Sequence, residues 1–255
     1  MLSFRKFHAT GNDFLVLQDN PKALSEIVRH RLCNRHVGIG ADGIIHVEFP
    51  NSPSEEPVVL FHYWNADGKE GSFCGNGARV AAWLGHELRG FREVTLRAVD
   101  GIHKGKILST SPPWVSVSLS IREEPMQVEE GRWFIDSGSP HLLLEVPLEE
   151  FHDFPLSEVA PPLRFCTEYD AGGMNVSIFT AINKKDWKLR TYERGVEAET
   201  LSCGTACVAL AALVGEDEIR VHTAGGVLTV HRSRGEFWLT GSLEELFRGE
   251  WIASF

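Results

Sequence analysis

Cys74 and Cys203 are the residues whose type and setting in this 255-residue sequence could do chemistry together. Cys74 opens Cys74-Gly75-Asn76-Gly77-Ala78-Arg79 and is followed by the small apolar run Val80-Ala81-Ala82-Trp83-Leu84. Cys203 opens Cys203-Gly204-Thr205-Ala206-Cys207 and is followed by Val208-Ala209-Leu210-Ala211-Ala212-Leu213-Val214. Both runs read as buried helices. A cysteine at a helix start lies beside backbone N–H groups that have no intrahelical acceptor, and at the positive end of the helix dipole. That setting favours the thiolate and can hold an anion. Two such thiols, one ionised and one protonated, suit a reaction in which a proton leaves one face of a carbon and returns to the other, the two-base logic of a racemase or epimerase. The Cα–H of an amino acid is a weak acid, so the developing charge must be held. The N–H groups of Gly75-Asn76 and Gly204-Thr205 could hold a carboxylate and its enolate-like charge away from water.

A lone cysteine before a glycine is more often a packing residue. What joins these two is an internal repeat. Gly138 of Ser137-Gly138-Ser139-Pro140-His141 lies 127 residues beyond Gly11 of Thr10-Gly11-Asn12-Asp13-Phe14, and Gly195 lies 127 beyond Gly68. The cysteines are 129 apart, and Gly226 follows Gly101 by 125. The repeat predicts an α+β protein of two pseudo-symmetric domains, each a mostly antiparallel β-sheet or barrel wrapped around a central helix, with the active site in the cleft between them. The boundaries expected are 1–122 and 123–245, with 246–255 returning to the first domain as a strand. The charged stretch Arg122 to Gly131 reads as the linker. In the first half, strands are expected at Phe4 to Phe7, Phe14 to Leu17, Ile44 to Phe49 and Val58 to Trp64, a helix over Lys22 to Asn34, and a hairpin loop over Asn51 to Pro57.

Composition narrows the partners. A formal charge of −10 with scattered Lys and Arg speaks against nucleic acid. No apolar segment approaches the roughly 20 residues that cross a bilayer, and Met1 to Lys6 lacks a signal-peptide core, so a cytoplasmic protein without a membrane partner is expected. Five cysteines, an odd number, argue against a disulfide framework. Cys203 and Cys207 share a helix face, but no second Cys/His pair completes a metal site. Gly38 to Gly43 lacks dinucleotide or P-loop spacing, so no nucleotide cofactor is expected. His141 stands out among the histidines because it follows a repeat-related turn. Asn12, Asn65 and Asn76 adjoin repeat landmarks more closely than Asn175 does.

At these residues the sequence resembles the diaminopimelate epimerase family. The matching stretches are Phe4 to Phe14, Asn34-Arg35-His36 through Gly43, Asn65-Ala66-Asp67-Gly68, Cys74 to Arg79, and Tyr192-Glu193-Arg194-Gly195 through Cys203-Gly204-Thr205, which together span nearly the whole chain. The resemblance implies an isomerase that needs neither metal nor pyridoxal phosphate and interconverts LL- and meso-diaminopimelate for lysine and peptidoglycan precursor synthesis. It implies Cys74 and Cys203 as acid and base, assisted by His141 and Glu193. It also implies substrate contacts from Asn12, Asn65, Ser139, Asn175, Glu193 and Arg194, and carboxylate contacts from Gly75, Asn76, Gly204 and Thr205. Arg194 makes separate sense, since a guanidinium suits the distal carboxylate of such a substrate. Beyond that small molecule, the only partner allowed for is a second copy in a homodimer. Two positions depart from the family pattern: Ser139 stands where asparagine is usual, and Ala206 where glycine is. The rival readings are a related cofactor-independent racemase or isomerase with a different amino-acid substrate, an idle amino-acid-binding protein, and a dithiol redox protein.

Overall fold

The computed structural model describes residues 1–50, 57–71 and 73–252. The chain divides into two compact units, the first comprising Met1–Val117 with Gly241–Phe255 and the second Ser118–Thr240. The first unit contains β1 (Leu2–Ala9), β2 (Asn12–Leu17), α1 (Glu26–Cys33), β3 (Gly43–Glu48), β4 (Val58–Asn65), α2 (Gly75–Arg89), β5 (Glu93–Ala98), β6 (Gly101–Thr110) and β7 (Pro113–Leu119). The second contains β8 (Glu123–Glu129), β9 (Arg132–Asp136), β10 (Pro140–Glu145), α3 (Leu156–Arg164), β11 (Asn175–Ala181), β12 (Asp186–Glu193), the short β13 (Ala198–Thr200), α4 (Gly204–Val214), β14 (Glu218–Thr223), β15 (Gly226–Ser233) and β16 (Glu236–Ser242). The last strand, β17 (Glu244–Trp251), pairs antiparallel with β1.

The repeat in the sequence is a repeat of strand pairings. Within the first unit the order β17-β1-β2-β3-β4-β5-β6-β7 is antiparallel except at β2–β3 and β4–β5. Within the second, β8-β9-β10-β11-β12-β14-β15-β16 is antiparallel except at β10–β11 and β12–β14. The two parallel pairs therefore fall at the same places. A parallel pair needs a crossover, and helices α1, α2, α3 and α4 supply the four of them in turn.

The two crossover helices of each unit take different places. α2 packs against β1, β3, β4, β5 and β6, and α4 against β8, β10, β11, β14 and β15, so each sheet curls around its own helix. Both helices are accordingly buried all round over their first two turns: Gly75 through Ala82 and Gly204 through Ala211 are buried without a break. Gly105 marks how close α2 comes to its sheet, for a Cβ there would stand 2.8 Å from the Ala82 Cβ and 2.7 Å from Val94 Cγ2. The other face of each sheet is covered by the other helix. Leu32 and Cys33 of α1 join Leu15, Leu17, Ile44 and Trp64 in one cluster, and Leu156 and Ala160 of α3 join Leu142, Leu144, Val176 and Ile178 in another. Strands covered on both faces lose the apolar–polar alternation of an exposed sheet, which is why β2 is buried at nearly every position.

Two expectations need correction, and a third falls almost wholly outside the described residues. The helix expected over 22–34 is a single 3-10 turn at Pro21–Ala23 followed by α1, because Asn20 and Ser25 each cap a helix start through a side-chain oxygen. The stretch read as a linker is β8, hydrogen-bonded to β9; most of its side chains are exposed, so it carries no apolar pattern to betray a strand. The hairpin loop of 51–57 lies, apart from Pro57, outside the described residues.

Candidate active site

The two repeat-related cysteines occupy one structural position. Each is the N-cap of its unit's central helix in extended conformation, Cys74 at φ −137° and ψ 112°, Cys203 at φ −117° and ψ 112°. Both helices end on a left-handed glycine, Gly90 at φ 76° and Gly215 at φ 74°, a conformation that favours a residue without Cβ. As N-caps, the cysteines are followed by the amides of Gly75 and Asn76 and of Gly204 and Thr205 at the first two helical positions, where no intrahelical acceptor exists.

In the first unit the Gly77 N–H donates to Cys74 Sγ (3.4 Å), and the Sγ–H donates to Asn12 Oδ1 (3.7 Å). Asn76 Nδ2 donates to the same Asn12 oxygen (3.3 Å), while Asn12 Nδ2 donates to Asp42 Oδ2 (2.8 Å). Asn12, Cys74 and Asn76 are thus brought together. Asn65, at the end of β4, pairs with Gly43 beside Asp42, and its carbonyl accepts from the Gly68 N–H. Arg79, wholly buried, donates to Asn76 Oδ1, Thr10 Oγ1 and the Ser242 carbonyl. Thr10 takes a left-handed φ of 54° in the turn before Asn12, and the Arg79 bond helps to hold it there.

In the second unit Cys203 is 7% exposed and makes no capping bond through its side chain; its Sγ meets Thr205 Oγ1 at 3.4 Å. The same Thr205 oxygen lies 2.9 Å from His141 Nε2, so one hydroxyl joins the thiol to an imidazole. Burial pushes the Cys203 thiol well above its ordinary value, and the Glu193 carboxylate pushes it further. Cys203 therefore carries its proton at neutral pH. Burial also lowers His141 to about 3, with the positive charge of Arg194 acting in the same sense, so this imidazole is neutral. A second cluster adjoins through the β10–β11 register, in which His141 pairs with Asn175. Asn175 Nδ2 donates to Ser139 Oγ (2.9 Å) and to the Pro140 carbonyl (3.0 Å), and Asn175 Oδ1 accepts the Arg194 N–H (2.9 Å). The Arg194 guanidinium donates to the Gly173 carbonyl (3.0 Å), and Glu193 accepts from the Thr200 hydroxyl.

Both substituted positions now have an explanation. Ala206 is fully buried within the first turn of α4, where helical backbone accepts alanine as readily as glycine. Ser139 is engaged as an acceptor by Asn175, which leaves its own O–H to donate. Reading the sequence misses Thr10 and Ser137, whose hydroxyls tie the turn to the helix start in each unit, Ser137 through the Thr205 carbonyl at 2.8 Å. Their spacing of 127, that of the turns themselves, was the available signal. It misses Asp42 and Arg79 as well: Asp42 bonds Asn12 and Arg79 bonds Thr10, both far away in sequence, although Arg79 also bonds Asn76 on its own helix. The five cysteines are free thiols, and no group of three or more His, Cys, Asp or Glu residues able to hold a metal occurs among the described residues.

A family model described as diaminopimelate epimerase matches residues 4–103 and 133–241, stretches that include both cysteine helices and both strand–turn–strand landmarks. The chain belongs to the diaminopimelate epimerase family. It is 32% identical to the diaminopimelate epimerase of Aquifex aeolicus, with 97% of each chain covered. It is likewise 32% identical to that of Methanopyrus kandleri, covering 98% of this chain and 88% of the relative. Among solved structures, a predicted epimerase from Pseudomonas aeruginosa has the same fold, with a TM-score of 0.71 at 17% identity over the whole of both chains. Membership of this family makes the protein an isomerase, of the kind that epimerises amino acids. No helix among the described residues is long and apolar enough to cross a membrane.

Proposed function

We propose that the protein interconverts LL- and meso-diaminopimelate by proton transfer between Cys74, Cys203 and one Cα, on the route to lysine and peptidoglycan precursors. The observation that carries this reading is the pair of cysteine N-caps, alike in backbone conformation and each on the buried central helix of its unit. A thiolate removes the Cα proton and a thiol returns one to the opposite face, so each turnover leaves the two sulfurs with exchanged protonation. Cys203, buried and protonated, is the donor in the resting protein. In the reverse direction Cys203 is the base, and the Thr205 hydroxyl, which also bonds the neutral His141, can donate to its thiolate. The amides of Gly75, Asn76, Gly204 and Thr205 hold the reacting carboxylate and the charge that develops on it. Arg194 receives the distal carboxylate, with Asn175 fixing its backbone and Ser139 offering a hydroxyl donor beside it. No step calls for a cofactor.

The test is solvent exchange. Wild-type protein incubated with LL-diaminopimelate in deuterated water is expected to form the meso isomer with deuterium at Cα, and Cys74→Ala and Cys203→Ala are each expected to abolish epimerisation. Binding without exchange, or undiminished epimerisation by either variant, would overturn the proposal.

A further inference from the structure

Between Arg79 and Asp42 runs a chain of side-chain hydrogen bonds whose sense is fixed at both ends. A guanidinium only donates, so the Arg79 Nη2 contact at 2.6 Å must be to Asn76 Oδ1, which turns Asn76 Nδ2 towards Asn12 (3.3 Å). At the other end every contact to Asp42 comes from a donor: Arg35 Nη2 on Oδ1 (2.8 Å), and the Asp13 N–H (3.2 Å) and Asn12 Nδ2 (2.8 Å) on Oδ2. An ionised carboxylate satisfies all three at once. With its NH2 committed to Asp42 and its oxygen already receiving Asn76, the Asn12 amide has one orientation, and it is the oxygen that faces Cys74 Sγ at 3.7 Å. An oxygen there accepts an S–H and repels a thiolate. Opposing it on the same sulfur are the Gly77 N–H at 3.4 Å and the helix start, which favour the thiolate. The protonation of Cys74 therefore turns on which end of the Asn12 amide faces it.

We propose that Asp42 and Arg79 are positioning residues that set the pH at which Cys74 ionises, keeping it above what the helix start alone would give, by fixing the polarity of the Asn12 amide. Its bearing on catalysis rests on the reading of Cys74 as a reacting group. The other charged groups around this site offset one another. Asp13 and Asp42 are balanced by Lys6, which pairs with Asp13 at 2.6 Å, and by Arg35, which bonds both carboxylates. On β6, His103 stacks on Phe73 at 4.0 Å between ring centroids and is bonded to Asp100 at 3.1 Å.

The experiment measures the thiol directly. The rate of Cys74 alkylation by iodoacetamide is followed against pH in the full-length Cys203→Ser protein, with the Cys74 peptide quantified by mass spectrometry. Asp42→Asn loosens one of the two ends that fix the Asn12 amide, so that its NH2 can turn to the sulfur part of the time, and is expected to lower the midpoint by up to about one pH unit. Asp13→Asn removes the same charge without touching that amide, and is expected to lower it by less. Asn12→Ala, which deletes the oxygen and leaves the ion cluster whole, is expected to lower it as well and serves if Asp42→Asn does not fold. An unchanged midpoint in Asp42→Asn or Asn12→Ala, or equal shifts in Asp42→Asn and Asp13→Asn, would overturn the proposal. The readout needs no turnover, so absence of Cα exchange would count against the epimerase reading and leave this result standing.

Discussion

Thr205 Oγ1 sits between Cys203 Sγ at 3.4 Å and His141 Nε2 at 2.9 Å, and burial leaves that thiol little contact with bulk water. Thr205→Val keeps the shape of the side chain and removes the bridge. It is expected to lower kcat on the order of 100-fold, within the usual range for a proton-transfer group, while Thr205→Ser retains most of the activity. Steady-state rates of the two variants in both reaction directions check this, and equal rates for valine and serine would count against a role for the hydroxyl. Ser139 acts at the other end of the substrate. Its oxygen is occupied by Asn175 and its proton is available, so Ser139→Ala should raise KM by about 10-fold, the worth of one hydrogen bond of about 1.5 kcal/mol, with kcat little changed. A fall in kcat at constant KM would place Ser139 with the reacting carbon instead.

At the scale of elements, function depends on how closely each central helix can approach its sheet. Gly105 on β6 has Ala82 of α2 directly over it, and the Ala82 methyl cannot rotate away. Gly105→Ala is therefore expected to cost about 2 kcal/mol, as overpacking a tight core does, and to displace the helix that carries Cys74. Urea titration reads the first effect and the Cys74 alkylation rate the second. The central helices and their cysteines were legible because small apolar runs after Cys-Gly, repeated at a near-constant offset, have few other readings. The parallel pairs β2–β3 and β10–β11 were not, because they depend on crossovers whose partners are fixed only by packing. β8 was illegible for another reason: it is mostly exposed, and it holds its place by backbone bonds to β9, to which side-chain pattern is blind. The same distinction runs through the site. Cys74 and Cys203 declare themselves by position, whereas Asp42 matters through Asn12, and Arg79 in part through Thr10, side chains that sequence does not show to be near.

Over the whole molecule, the acid sensitivity of the first unit follows from how its chain ends are fastened. β17 returns to β1, and Arg5 on β1 bonds Glu245 of β17 through two nitrogens, at 2.9 and 2.7 Å, while also pairing with Glu87 of α2 at 2.6 Å. Arg5 and Arg248 hold the Glu245 carboxyl at about 2, below its ordinary 4.5, and Arg35 and Lys6 overcome burial to hold Asp13 at about 2, below its ordinary 3.8. A carboxyl whose pKa is lowered by folding adds stability that is complete above its unfolded pKa and is lost as pH falls towards the folded value. For this pair the loss runs from about pH 4.5 down to about pH 2. The urea midpoint of the wild type should accordingly fall over that window, and hydrogen exchange should show amides of β1, β2 and β17 losing protection as it does. In an Asp13→Asn, Glu245→Gln double variant neither group can release stability on acidification, so the protein should begin less stable at neutral pH and lose less on the way down. An unaltered pH dependence in that variant would show that acid acts on the first unit through other groups, and that fastening β17 to β1 is not what makes it sensitive.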